Sequence, residues 1–352
     1  MKRICINNRV IGRRQPCYII AEAGVNHGGS LEQALRLVNA AADAGADAVK
    51  FQSFTAERLV GASAPKAEYQ KTSAAPAESQ LDMLRRLELS VADHRRLVEQ
   101  SRKRGIEFLS TPFDEVWADI LGGLGVPAFK IGSGELTNLP FLSYVAAKRK
   151  PLIISTGMAE LGEVEQAVAT IRAAGANEII LLQCTSAYPA APETINLRAM
   201  ATLRRRFGVW TGLSDHTTGI EVAIGAAALG AVVIEKHFTL DRALPGPDHR
   251  MSLEPAELAA MIYAIRNVEK ALGNGMKTRS ANETETAQVA RRSLVAARDI
   301  GAGEMLDANA VAIKRPGTGL PASMLDSILG LRAKTAIPQG MLLSLELLEG
   351  TR

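Results

Sequence analysis

Short β-branched runs return eight times along this chain, each set between segments whose apolar residues fall at helical spacing. The runs are Tyr18–Ala21, Ala48–Phe51, Glu107–Leu109, Ala128–Ile131, Leu152–Ile154, Ile179–Leu182, Val209–Gly212 and Val232–Glu235. Between them apolar side chains recur at i, i+3 and i+4, as in Leu31-Ala34-Leu35-Val38, the mark of an amphipathic helix. Gly45, Gly105, Gly175 and Gly230 each stand just before a run, where glycine closes a helix in the left-handed conformation and lets the chain turn into a sheet. Eight strand–helix repeats over about 270 residues predict an α/β fold, a (β/α)8 TIM barrel. An open, doubly wound sheet is the alternative.

The alternation stops near Gly273. Residues 273–286 are polar and contain glycine, and read as a linker. Residues 287–352 break into short segments with turn signals, among them Arg292–Ala297, Val311–Arg315 and Lys334–Ile337. They predict a small β-rich domain, close to the lower size limit for independent stability and so in need of a neighbour. Residues 1–272 form the barrel domain on this reading.

Composition narrows the function class. Aromatic residues make up only 4% of the chain, so its layers must pack from Ala, Val, Ile and Leu. A formal charge of +4 is too small to argue for nucleic acid, and it is compatible with an anionic small substrate. The longest fully apolar run, Val222 to Ile234, falls well short of the roughly 20 residues that span a bilayer. The first apolar stretch, Cys17 to Ala21, is cut by Glu22 before a signal-peptide core forms. Three cysteines without metal-finger spacing point to a reducing compartment. The expectation is a cytoplasmic protein with no membrane or nucleic-acid partner.

In such a barrel the chemistry gathers at the C-terminal ends of the strands. The residues closing the eight runs are polar or ionisable throughout. Lys50 and Lys130, with the hydroxyls of Thr111, Ser133, Ser155 and Ser214, suit an anion such as phosphate or carboxylate. The alternative is a lysine paired inside the barrel with Glu22 or Glu235. His216 and His237 end neighbouring strands, where two imidazoles can converge on one divalent metal and leave positions for water and substrate. Structural, hydrogen-bonded histidines are the other reading. Glu22 and Glu135 are candidates for proton transfer. Asp248, on the rigid turn after Pro245-Gly246-Pro247, is placed to hold a sugar hydroxyl, and Tyr188 to wall the pocket. Cys184 reads as a small buried residue.

The segments IAEAGVNHGGS, KFQ, FLSTPFD, FKIGSGEL, ISTGM, LLQCTSAYP, GLSDHTTG, IEKHFTLDR and PGPDHRMSLEP follow one another in this order. Together they resemble the N-acetylneuraminate (sialic acid) synthase family, which includes legionaminic and pseudaminic acid synthases. The stretch Ala312 to Gly319, AIKRPGTG, is similar to that family's antifreeze-protein-like (SAF, β-clip) domain. The resemblance runs from about Tyr18 to Leu348.

The resemblance implies a metal-dependent condensation of phosphoenolpyruvate with an open-chain N-acetylmannosamine-type sugar and water, giving a nine-carbon 2-keto acid and phosphate. N,N'-diacetyllegionaminate or pseudaminate synthesis is the related alternative. On matching positions, Lys50, Thr111, Lys130, Ser133, Ser155, Ser186 and Ser214 would hold phosphoenolpyruvate. His216 and His237 would hold Mn²⁺, or else Mg²⁺ or Co²⁺. Glu22 and Glu135 would act at the reacting centre. Tyr188, Asp248 and Arg315 would recognise the sugar, with Arg315 supplied by the partner in a domain-swapped homodimer. Some family members carry asparagine where this chain has Ser186, which leaves the acceptor sugar open. The rival readings are a Schiff-base aldolase using Lys50 or Lys130, and a non-catalytic carbohydrate- or surface-binding protein.

Overall fold

The computed structural model describes residues 1–61, 64–66 and 78–350. The chain divides into two compact units, Met1–Gly273 and the residues from Asn274 on. The first opens with an antiparallel hairpin of β1 (Ile4–Ile6) and β2 (Arg9–Ile11). Eight parallel strands follow: β3 (Tyr18–Gly24), β4 (Ala48–Ser53), β5 (Glu107–Pro112), β6 (Phe129–Ile131), β7 (Leu152–Ser155), β8 (Ile179–Cys184), β9 (Trp210–Asp215) and β10 (Val233–His237). They pair in the order β5-β4-β3-β10-β9-β8-β7-β6, and β5 and β6 lie side by side to close the ring. The expected barrel is therefore observed. Most strands run further than their β-branched runs, through the polar residues that follow, because ladder hydrogen bonding does not depend on side-chain polarity.

Side chains alternate between the inside of a barrel and its helical jacket. Ile20, Ala48, Leu109, Ala128, Ile153, Ile180, Leu182 and Val233 form one buried apolar cluster inside the ring. Two residues further along, most of these columns turn polar: Ile20 gives way to Glu22, Ala48 to Lys50, Leu109 to Thr111, Ala128 to Lys130, Ile153 to Ser155 and Val233 to Glu235. The opposite faces, with Ile19, Val49, Phe129, Ile154, Leu181 and Ile234, pack under the helices. The barrel is thus a dry plug at one end and a polar chamber at the other.

Sequence reading does not reach the β1–β2 hairpin. Its Ile4, Ile6 and Ile11 join the inner apolar cluster together with Trp210, whose indole N–H donates to the Lys2 carbonyl at 2.7 Å. The hairpin stoppers the N-terminal end of the barrel.

The second unit has its own core of Leu294, Ala296, Ile300, Leu306, Ala310, Ile328, Ala333, Ile337, Leu343 and Leu348. It carries short antiparallel pairs, β11 (Ser293–Ala296) with β12 (Val311–Lys314), and β13 (Arg332–Ala333) with β14 (Leu348–Glu349). Helix Glu283–Ala290 occupies part of the segment expected as linker. Among the described residues no helix is long and apolar enough to cross a membrane.

Behind β3 the chain turns through His27, which is fully buried near Phe51. Its Nδ1 accepts the Gly29 N–H at 3.0 Å, so the ring is neutral with its proton on Nε2. Burial pushes the imidazole down to about 4. The unfolded chain therefore takes up this proton first as pH falls, and stability present above about 6.5 is lost between there and about 4. We expect this one residue to account for a loss of about 3 kcal/mol across that window. Urea unfolding of the parent and of His27→Asn at a series of pH values checks it; equal slopes would assign the pH dependence elsewhere.

Candidate active site

The polar ends of the barrel columns surround a cavity of about 750 Å³. Glu22, Lys50, Thr111, Lys130, Ser133, Ser155, Ser186, Tyr188, Ser214, His216 and His237 all line it. These residues come from seven of the eight strands and from the loops after β6, β8 and β9, so barrel closure alone brings them together.

The floor is a network of buried charge. Lys50 Nζ lies 2.7 Å from Glu22 Oε2 and 3.6 Å from Glu235 Oε2, and donates to Thr111 Oγ1 at 3.0 Å. Lys130 Nζ lies 3.3 Å from Glu235 Oε1 and donates to Ser155 Oγ at 2.9 Å. Ser214 Oγ donates to the same Glu235 oxygen at 2.8 Å. Both lysines are ion-paired, the arrangement first considered for one of them alone. Glu235 stands between them and had been read from sequence only as a possible lysine partner. Gln52, which donates to Glu22 Oε1 at 3.2 Å, is likewise a cavity residue that sequence reasoning passed over.

The two carboxylates are driven apart in acidity. Burial raises Glu22 well above the usual carboxylate range, with Lys50 opposing and Glu235 adding to the rise. Burial would raise Glu235 too, but the ammonium groups of Lys130 and Lys50 overcome it and hold it low. Burial lowers Lys130. On Lys50 the carboxylates of Glu22 and Glu235 outweigh burial and raise it. Two titratable groups pushed in opposite directions are the usual setting for separated acid–base roles.

Beside the floor, the rings of His216 and His237 lie 5.4 Å apart, with Tyr188 4.2 Å from His216. His216 Nδ1 donates to the Thr185 carbonyl at 2.8 Å, which leaves its Nε2 lone pair open in the neutral ring. Burial, with His216 adding to it, keeps His237 neutral, and its Nδ1 has no hydrogen-bond partner. Burial lowers His216, but the Cys184 sulfur and the Thr185 carbonyl outweigh it and raise the ring. In their neutral forms the two imidazoles, one oriented by a carbonyl and one with an orphaned nitrogen, fit a divalent ion that completes its shell with water and substrate. Among the described residues no group of three or more His, Cys, Asp or Glu is arranged as metal ligands.

Ser133 and Ser186 form the remaining wall. Gly157 N donates to Ser133 Oγ at 2.9 Å, and a Cβ at Gly157 would sit 2.2 Å from Ser186 Oγ. Only glycine lets the β7 loop approach these hydroxyls.

Three expected residues are not in this wall. Glu135 ends the 3₁₀ turn Ser133–Glu135, and its carboxylate accepts from Asn138 Nδ2 at 2.8 Å, outside the cavity lining. Asp248 lies behind His237, with Oδ2 3.8 Å from Nδ1, and burial raises its carboxyl to about 6. Arg315 belongs to the second unit, where it is exposed next to a cis Pro316.

The NeuB family matches residues 37–277, and the SAF domain matches residues 291–349. The chain is 46% identical over 342 residues to the N,N'-diacetyllegionaminic acid synthase of Legionella pneumophila, covering 96% of each chain. It is 48% identical over 314 residues to the enzyme of that name in Campylobacter jejuni, covering 89% of this chain and 94% of that one. Among solved structures it is similar to the N-acetylneuraminic acid (sialic acid) synthetase of Leptospira borgpetersenii in complex with citrate. The TM-score is 0.73 at 37% identity, over 81% of this chain and 95% of that one. With a family match over most of its first unit and relatives of this identity over nearly its whole length, the chain belongs to the NeuB family and carries a SAF domain.

Proposed function

We propose that this protein is a nonulosonic acid synthase, condensing phosphoenolpyruvate with an acetamido sugar and water to give a nine-carbon 2-keto acid and phosphate. The observation that carries the reading is the cavity floor, where Lys50 and Lys130 with the Thr111, Ser155 and Ser214 hydroxyls converge around two carboxylates of opposite acidity. The relatives at 46% and 48% identity favour an acceptor bearing two acetamido groups over N-acetylmannosamine.

On this reading the two ammonium groups and the hydroxyls bind the phosphate and carboxylate of phosphoenolpyruvate. Its C3 forms the new bond to the sugar aldehyde carbon, water adds at C2, and the C2–O bond to phosphate breaks. The aldehyde oxygen gains a proton, the attacking water loses one as it adds, and the second water proton leaves with the phosphate as the C2 hydroxyl becomes the ketone. Glu22, whose raised acidity lets it hold or take a proton near neutral pH, is the group for that transfer. A protonated Glu22 also leaves the floor with two cations against one anion, which favours an anionic substrate. Glu235 stays ionised and keeps the lysines in place. His216 and His237 would hold a divalent ion, Mn²⁺ before Mg²⁺ or Co²⁺. Such an ion supplies Lewis-acid polarisation of the aldehyde. Tyr188 would face the sugar end, with Asp248 backing it from behind His237 and Arg315 coming from the partner chain of a cytoplasmic, domain-swapped homodimer. An arginine fork suits hydroxyl and acyl oxygens and stays charged at any working pH.

Phosphate release from phosphoenolpyruvate, run against a panel of 2-acetamido and 2,4-diacetamido sugars, tests the reaction. Release should be fastest with a diacetamido acceptor, fall on chelation and return with Mn²⁺. Absence of release with every sugar, or borohydride trapping of substrate on the chain, would point to the Schiff-base alternative.

Lys130→Ala removes a charge-assisted partner worth about 1.5–3 kcal/mol. The KM for phosphoenolpyruvate should rise roughly 10- to 100-fold, while that for the sugar changes less than about threefold. Equal effects on the two substrates would take Lys130 out of the anion pocket.

The swap is tested by mixing two inactive chains, Arg315→Ala and Glu22→Ala. Mixed dimers pair an intact barrel with an intact arginine on the other chain, so part of the activity should return. Baseline activity, with mixed dimers shown to form, would assign Arg315 to its own barrel.

A further inference from the structure

Directly behind the two imidazoles sits a buried ion pair for which the chemistry above has no use. On β9 and β10 the residues that line the cavity are Ser214, His216, Glu235 and His237. Asp215 and Lys236 alternate with them, and so point the other way, into the layer under the helices. The two are paired across the strands, and each is only 1% exposed. Lys236 Nζ lies 2.7 Å from Asp215 Oδ2 and donates to the Thr217 carbonyl at 2.5 Å and to Thr217 Oγ1 at 3.5 Å. Asp215 Oδ1 accepts from Thr217 N at 3.0 Å and from Thr217 Oγ1 at 2.8 Å. The backbone is therefore fastened on both sides of His216, and the lysine that does it is the residue before His237.

We propose that Asp215 and Lys236, through Thr217, are positioning residues that set the spacing of His216 and His237. A buried ion pair adds little net stability over apolar side chains of the same volume, but its charged partners tolerate only one arrangement. The second property is what a pair of rim imidazoles needs, because the ladder between β9 and β10 ends at Asp215 and Lys236, one residue short of both rings. The inference rests on the reading of His216 and His237 as ion ligands.

The test is the double variant Asp215→Leu/Lys236→Met in the full chain, which removes both charges together and leaves neither unpaired. It should melt close to the parent. Its affinity for Mn²⁺ alone should fall roughly 10- to 100-fold, the usual cost of losing groups that orient metal ligands. Binding of phosphoenolpyruvate without metal should stay within about twofold, since the floor is untouched. In its crystal structure the two rings should leave their 5.4 Å spacing. A folded variant that binds Mn²⁺ like the parent, or that weakens Mn²⁺ and phosphoenolpyruvate equally, would overturn the proposal. If the double variant does not fold, Thr217→Val removes one tie without stranding a charge; unchanged Mn²⁺ affinity there would be equally fatal. Should the parent bind no Mn²⁺, the ligand reading itself fails, and the ring spacing in the variant crystal then decides: parent spacing rejects the positioning role.

Discussion

Four buried charges hold the open end of this barrel together. Lys50 comes from β4, Lys130 from β6, Glu22 from β3 and Glu235 from β10, so the network ties strands that are not all neighbours straight across the interior. Each ion costs several kcal/mol to withdraw from water, and only its partners repay that. No member can be removed alone without leaving an uncompensated charge in a dry site. The register of the barrel, the chamber's shape and the acidity of each carboxylate all follow from satisfying this one constraint.

The same network suits the chamber to the multiply charged anion of the proposed reaction. Glu22 and Glu235 occupy the ammonium groups that an anion would want, and the two carboxylates are unequal competitors. Glu235 is gripped by two lysines and a serine hydroxyl, whereas Glu22 has one lysine and an amide. The weaker competitor is also the one that burial drives toward protonation. An arriving anion therefore meets a site in which one counter-charge can be neutralised and the other cannot.

Much of this is legible in the sequence alone, and the reason is periodicity. Inward columns that start apolar and end in Glu, Lys, Thr or Ser mark both the strands and the end at which the chemistry lies. What escaped was set by distances that only ring closure fixes. Glu235 reads from sequence as a possible partner for one lysine, because nothing in Val-Ile-Glu-Lys-His says that it stands between two from other strands. Glu135 reads as a rim carboxylate because it follows the fourth run, but the chain winds into a tight turn there and the carboxylate closes on Asn138 instead. The opening hairpin has only three residues per strand, too short for a periodic signal. Its one clue was Asn7-Asn8 between two apolar stubs, with Asn7 in the left-handed region at a φ of 46°.

That hairpin has a consequence for traffic. With Ile4, Ile6 and Ile11 stoppering one end, the chamber among the described residues is a cul-de-sac on that side, and what reacts in it must come from the other. The charged floor lies at the blind end and the imidazoles and Tyr188 stand beside it, so a molecule resting on the floor is covered by whatever enters next. On the proposed reaction this geometry predicts a queue, with phosphoenolpyruvate on the lysine floor first and the larger sugar following to shut it in.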